Sequence, residues 1–189
     1  MRGKTIDELV EGDKAELTRV VEREDLAAFV DAVGDHNPLH SDAEYAATTP
    51  FKGPIAPGIF TAGMISAVIG TQLPGPGAVY LSQNLRFMRP VRTGDTITAR
   101  AEVVELVRDR NRARLKTVCT NQRGEEVLLG EAWVMPSRRP ILYEDQRAGP
   151  AAIAALAMRS WLAAAEAGAT WGLLGFQLLA GVTRRLRSS

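Results

Sequence analysis

Apolar and polar residues recur along this chain with changing period. From Lys14 to Val21 they read as a short, half-polar strand. Within Glu24–Val33, Leu26, Phe29, Val30 and Val33 recur at helical spacing, and Gly34 is a natural stop. Residues 35–57 are punctuated by Pro38, Pro50, Gly53, Pro54 and Pro57, which predicts loop. Inside that loop "SDAEYAA" predicts one short helix, capped by Ser41 or Asp42. Gly58–Gly70, "GIFTAGMISAVIG", carries no charge on any side. That pattern predicts a helix buried on all faces and too short to cross a bilayer.

Strand-like runs follow the terminator "LPGPG". Val79, Leu81, Leu85 and Phe87 are expected on one face of the first, and Ile97, Ala99, Ala101 and Val103 on one face of the second. Arg112–Thr120 alternates basic with apolar residues, and Val127, Leu129 and Trp133 are expected to line the last run. "RPVRTGD" and "NQRGEE" between them carry turn chemistry. A long antiparallel sheet wrapped around one buried helix satisfies this order. The expected fold class is α+β, with a domain over 1–139 and an Ala/Leu-rich helical tail over 140–189.

Composition narrows the function classes. Among 189 residues, 23 basic and 22 acidic side chains leave a formal charge of +1, too little for a global field that recruits nucleic acid. The single cysteine, Cys119, excludes an internal disulfide and favours a reducing compartment; its alternating segment makes it a buried strand residue rather than a nucleophile. The N-terminal stretch has acids where a signal peptide would need an apolar core, so a cytoplasmic location is expected.

Both histidines of the chain, His36 and His40, fall inside "DHNPLH". Four apart, they could share a helix face and a metal, but Pro38 between them argues against an uninterrupted helix. Asp35 and His40, separated by Asn37 and Pro38, can converge on one small molecule if the bend folds back. An imidazole that titrates near neutrality beside a carboxylate suits the addition or removal of water. The plainer alternatives are that Asp35 caps the short helix, that His40 is an exposed loop residue and that His36 is a surface or packing residue. Gly58 opens the uncharged helix, whose first amides have no internal partners, and a glycine there lets a carbonyl oxygen approach closely. Such an amide can stabilise an enolate, or Gly58 can simply permit tight packing.

"DHNPLHSDAEYAATTPFKGPIAPGIFTAGMISAVIG", followed by "LPGPGAVYLSQNLRFMRPVRTGDTITARAEV", resembles the MaoC-like dehydratases. Within them the chain is most similar to the (R)-specific enoyl-CoA hydratases that feed polyhydroxyalkanoate synthesis. The resemblance covers about Lys14 to Met135. It implies a hot-dog fold, pairing into a homodimer with a continuous sheet, and reversible hydration of trans-2-enoyl-CoA to (R)-3-hydroxyacyl-CoA without metal or redox cofactor. It also implies that Asp35 and His40 are the catalytic pair, that Asn37 helps organise them and that Gly58 is the backbone oxyanion donor. Asp35 as base and His40 as acid is the favoured division, which the sequence leaves open. Relatives often have histidine immediately before this glycine, and here Pro57 stands there, which reads as tuning.

Two other readings belong beside this one: a dehydratase of acyl-carrier-protein thioesters using the same residues, and a non-catalytic acyl-thioester-binding protein. Arg86, Arg89 and Arg92 are candidates to meet CoA phosphates, although alternating arginines on a strand more often form a solvated face. In the tail, residues 167–183 hold no charge and "RRLR" follows. That pattern suits contact with a granule or membrane surface, or packing against the domain or its dimer partner.

Overall fold

The structure is a computed structural model and describes residues Met1–Glu144. The expectations for the tail beyond Glu144 lie outside the described residues. A two-residue strand β1 (Arg2–Gly3) and a 3-10 turn (Ile6–Glu8) lead into β2 (Lys14–Val20). Three helices follow: α1 (Arg23–Val33), the single turn α2 (Pro38–Ser41) and α3 (Ala43–Thr48). The long α4 (Gly58–Thr71) precedes β3 (Val79–Phe87), β4 (Thr96–Val107), β5 (Arg112–Thr120), β6 (Glu126–Met135) and β7 (Ile141–Leu142). β7 pairs with β1, so the folded unit continues past Arg139 to Glu144.

The main sheet has the order β2-β4-β5-β6-β3 and is antiparallel throughout. It curves around α4, which packs on β2, β3, β4 and β5, and this is the hot-dog arrangement. Residues directly opposite in an antiparallel pair point to the same side, so register identifies the core face. Ala113, Leu115, Thr117 and Cys119 oppose Val134, Ala132, Gly130 and Leu128, and all but the half-buried Gly130 are buried. Ile97, Ala99, Ala101 and Val103 complete that layer as expected. Met64, Ile65, Val68 and Ile69 of α4 fill its concave side. Each such aliphatic side chain contributes about 1.5–3 kcal/mol by leaving water.

Three expectations require correction. The inward face of β6 carries Leu128, Ala132 and Val134; Leu129 and Trp133 are on the other side, half-buried, with Trp133 opposite Arg114. Val127 is buried, but it sits at the register shift between β5 and β6 and has no opposite residue in β5. In β3 a bulge between Tyr80 and Ser82 breaks the alternation. Of the four residues expected inside, only Leu85 packs on the core, while Val79, Leu81 and Phe87 are exposed. Finally, α4 is not covered all round: Ile59, Gly63, Ser66 and Gly70 form an exposed stripe. Absence of charge shows which helix faces can leave water, not which of them the sheet covers.

Cys119 is fully buried, as expected, and burial pushes its thiol from 9.0 up to about 12. A raised thiol pKa favours the neutral form, so this contribution to stability is complete below 9.0, where the unfolded chain ionises, and fades as pH rises toward about 12. Tyr80, with 37% of its surface open and the rest covered, is lifted to about 12 by that partial burial and then by the nearby Cys119, and acts in the same direction. Native protein should therefore resist thiol reagents at pH 8. Urea midpoints should fall between pH 9 and 11, and Cys119→Ala should lessen that fall. An alkaline slope identical in the variant would rule out this assignment.

Among the described residues no helix is long and apolar enough to cross a membrane. No group of three metal-ligating side chains occurs among them either.

Candidate active site

α1 ends because Gly34 takes the left-handed conformation, φ 73°, which few residues with a Cβ adopt readily. The Gly34 and Asp35 N–H groups both donate to Val30 O, at 2.8 and 3.2 Å, turning the chain sharply. Asn37 then caps α2: its Oδ1 accepts from the Leu39 N–H at 3.1 Å, and Pro38 fills the first helical position, where a missing N–H costs nothing. Asp42, rather than Ser41 or Asp35, caps α3 through the Tyr45 N–H at 2.9 Å. Asp35 is thus left free of capping duty.

The bend does fold back. His40 Nε2 faces Asp35 Oδ2 at 3.6 Å, with the His40 side chain only 11% exposed and that of Asp35 46% exposed. His40 is therefore not a surface loop residue. Its Nδ1 lies 2.8 Å from Ile55 O. A carbonyl can only accept, so Nδ1 carries the proton, leaving Nε2 as the nitrogen that exchanges protons toward Asp35. The Ile55 N–H donates in return to Leu39 O at 3.3 Å, so α2 is tied to the segment leading into α4. His36 is exposed and lines the same cleft as His40, with Leu26, Val30 and Arg92, in a space of about 690 Å³.

Three residues beyond Ile55, Gly58 starts α4 with Pro57 as its cap and no side chain bonded to its first turn. The helix N-terminus consequently presents unclaimed amides. Gly58 lines a separate cavity of about 370 Å³ with Phe51, Ile55, Phe87, Met88 and Val91. A Cβ on Gly58 would lie 2.7 Å from the Phe87 ring, so the packing explanation of this glycine also holds. The structure brings Asp35 and His40 together, uses Asn37 to build their turn, and places Gly58 on the neighbouring cavity. The two spaces share no lining residue, but neighbouring residues of one segment line them: Pro54 the first, and Ile55 and Ala56 the second. Among the arginines, Arg89 Nη1 donates to Glu126 O, whereas Arg92 turns toward the loop before Ile55. The Ile55 carbonyl and the Phe87 wall had no local signal in the sequence, since every residue has a carbonyl and Phe87 is brought to Gly58 by the sheet.

A curved sheet around an uncharged helix, with an acid–imidazole pair beside the helix start, places this chain among the hot-dog proteins. It belongs to the MaoC-like domain family, whose model matches residues 5–126. A 3-hydroxybutyryl-CoA dehydratase of Methylorubrum extorquens is 51% identical over 123 residues, 62% of this chain and 77% of that one. An (R)-specific enoyl-CoA hydratase of Rhodospirillum rubrum is 44% identical over 133 residues, covering 70% and 92%. Among solved structures, the unliganded R-hydratase PhaJ1 of Pseudomonas aeruginosa superposes with a TM-score of 0.70 at 44% identity, over 76% of this chain and 94% of that one.

Proposed function

We propose that this protein is an (R)-specific enoyl-CoA hydratase that adds water reversibly to trans-2-enoyl-CoA. The observation that carries the reading is the Asp35–His40 pair, held at 3.6 Å with His40 Nδ1 committed to a carbonyl. That separation exceeds a direct hydrogen bond yet lets one water touch both groups. The Asp35 carboxylate takes a proton from this water as its oxygen bonds to the β-carbon. Protonated His40 gives the Nε2 proton to the α-carbon on the same face, and Asp35 and His40 then re-equilibrate their protons with solvent. Charge developing on the thioester oxygen meets the Gly58 amide at the positive end of α4. The net change is one C–O and one C–H bond from one water, so the reaction needs no electron carrier. Asn37 serves by holding the turn on which His40 sits.

The assay is hydration of crotonyl-CoA, followed by loss of the enoyl-thioester absorbance, with product chirality read by an (R)-selective dehydrogenase. Turnover to the (R) product is expected, faster than with the matching acyl-carrier-protein thioester. An (S) product, or no turnover, would overturn the assignment; a preference for the carrier protein would move it to the dehydratase alternative.

The same reading includes a homodimer. β3 is an edge strand of nine residues that exposes Val79, Tyr80, Leu81 and Phe87, and long apolar edges are otherwise an aggregation hazard. The bare stripe of α4 around Gly63 is equally uncharged, and nothing lies within 4 Å of where a Gly63 Cβ would be. A second copy aligned along β3 would cover these surfaces and extend the sheet. Light scattering should give a mass of two chains for the wild type and one for Val79→Lys with Leu81→Lys. A monomeric wild type would refute the dimer.

A further inference from the structure

Arg92 stands in the connection between β3 and β4 and borders the cleft that holds His40. Its guanidinium turns onto main-chain carbonyls instead of toward solvent. Nη1 donates to Pro54 O at 2.9 Å, and Nη2 donates to Phe51 O. The backbone beneath is pinned too, because the Arg92 N–H donates to Asp95 Oδ2 at 2.8 Å. The neighbouring Val91 O accepts the Ala56 N–H at 2.7 Å. Ile55 is thus bracketed: Pro54 and Ala56 are held from one side by Arg92 and Val91, while Ile55 itself bonds Leu39 and His40 on the other.

We propose that Arg92 is a positioning residue that fixes the tautomer and orientation of His40 through the Ile55 carbonyl. A guanidinium presents several N–H groups in one plane and can span two carbonyls, whereas an ammonium is a single point donor on a flexible stem. An isolated neutral imidazole populates both tautomers. Here an acceptor at Nδ1 selects one of them, provided that the acceptor stays where it is. If the Phe51–Pro54 loop loosens, the Ile55 carbonyl drifts, the neutral ring gains access to the Nε2–H form, and the imidazole is free to turn so that Nε2 no longer faces Asp35. The kinetic consequence rests on the hydratase reading; the tautomer itself does not.

The test is nitrogen NMR of ring-labelled histidine together with crotonyl-CoA kinetics on Arg92→Gln and Arg92→Lys. The chain has two histidines, so His36→Gln assigns the signals. Wild-type neutral His40 should be in the Nδ1–H form. Both variants should admix the Nε2–H form and lose about tenfold to a hundredfold in kcat with little change in KM, the lysine variant less than the glutamine. Arg92→Lys keeps the stem and charge and decides the matter if Arg92→Gln does not fold. An unchanged tautomer in the folded variants would overturn the proposal, as would a wild-type kcat. If the wild-type protein fails to hydrate crotonyl-CoA, the hydratase reading falls, while the tautomer measurement still decides whether Arg92 sets His40.

Discussion

Asp35→Asn and His40→Gln are each expected to lower kcat for crotonyl-CoA hydration at least about a hundredfold, the scale for removing a positioned acid or base. Asparagine keeps the shape of aspartate without its basicity, and glutamine cannot cycle a proton at any pH. Folding should survive both changes. The Asp35 side chain is nearly half exposed, and exposed substitutions usually shift stability by no more than about 0.5 kcal/mol. Losing the bond from His40 to Ile55 O costs about 0.5–1.5 kcal/mol. The informative comparison is the double variant. On the proposed mechanism the two groups share one water and act as a unit, so removing both should cost little more than removing either. Losses that multiply would mean the residues act separately, and wild-type rates in both single variants would remove them from the mechanism.

How much of this was legible in the sequence depended on whether a signal was local. The charge-free run from Gly58 is a helix to within one residue, because so long an uncharged run exceeds the usual length of a buried strand. β4 shows its inward face by plain alternation of Ile97, Ala99, Ala101 and Val103. β6 did not, because Leu129 and Trp133 lie half-buried on the outer face and make both sides of the strand look apolar. The β3 bulge depends on pairing with β6, which no short stretch encodes. Within the site, Asp35, Asn37 and His40 were readable because one turn brings them together. The Ile55 carbonyl and the Arg92 fork were not, since they depend on the loop before α4 lying between two distant segments. Arg92 resembled Arg86 and Arg89 in sequence and differs from them only in what the folded loop offers it.

Gly58→Ala is the substitution that separates the two roles open to that glycine. The added methyl would stand 2.7 Å from Cε1, 2.9 Å from Cζ and 3.0 Å from Cδ1 of Phe87. Contacts that close force either the ring to swing or the first turn of α4 to shift. Phe87 is about half exposed on the edge strand, so the ring should yield first, and the variant should fold with a reduced Tm. The amide survives, but a methyl at the cavity wall, or a helix start displaced by a fraction of an ångström, disturbs an oxyanion contact. Such misplacement costs on the order of a hundredfold in rate. Adding Phe87→Ala removes the clash and leaves the methyl. If Gly58 serves the thioester oxygen, the double variant should regain the lost Tm while kcat stays at least about tenfold below that of Phe87→Ala alone. Rate and Tm returning together would mean that the glycine is needed only to admit the ring, and the developing charge would then require a different donor.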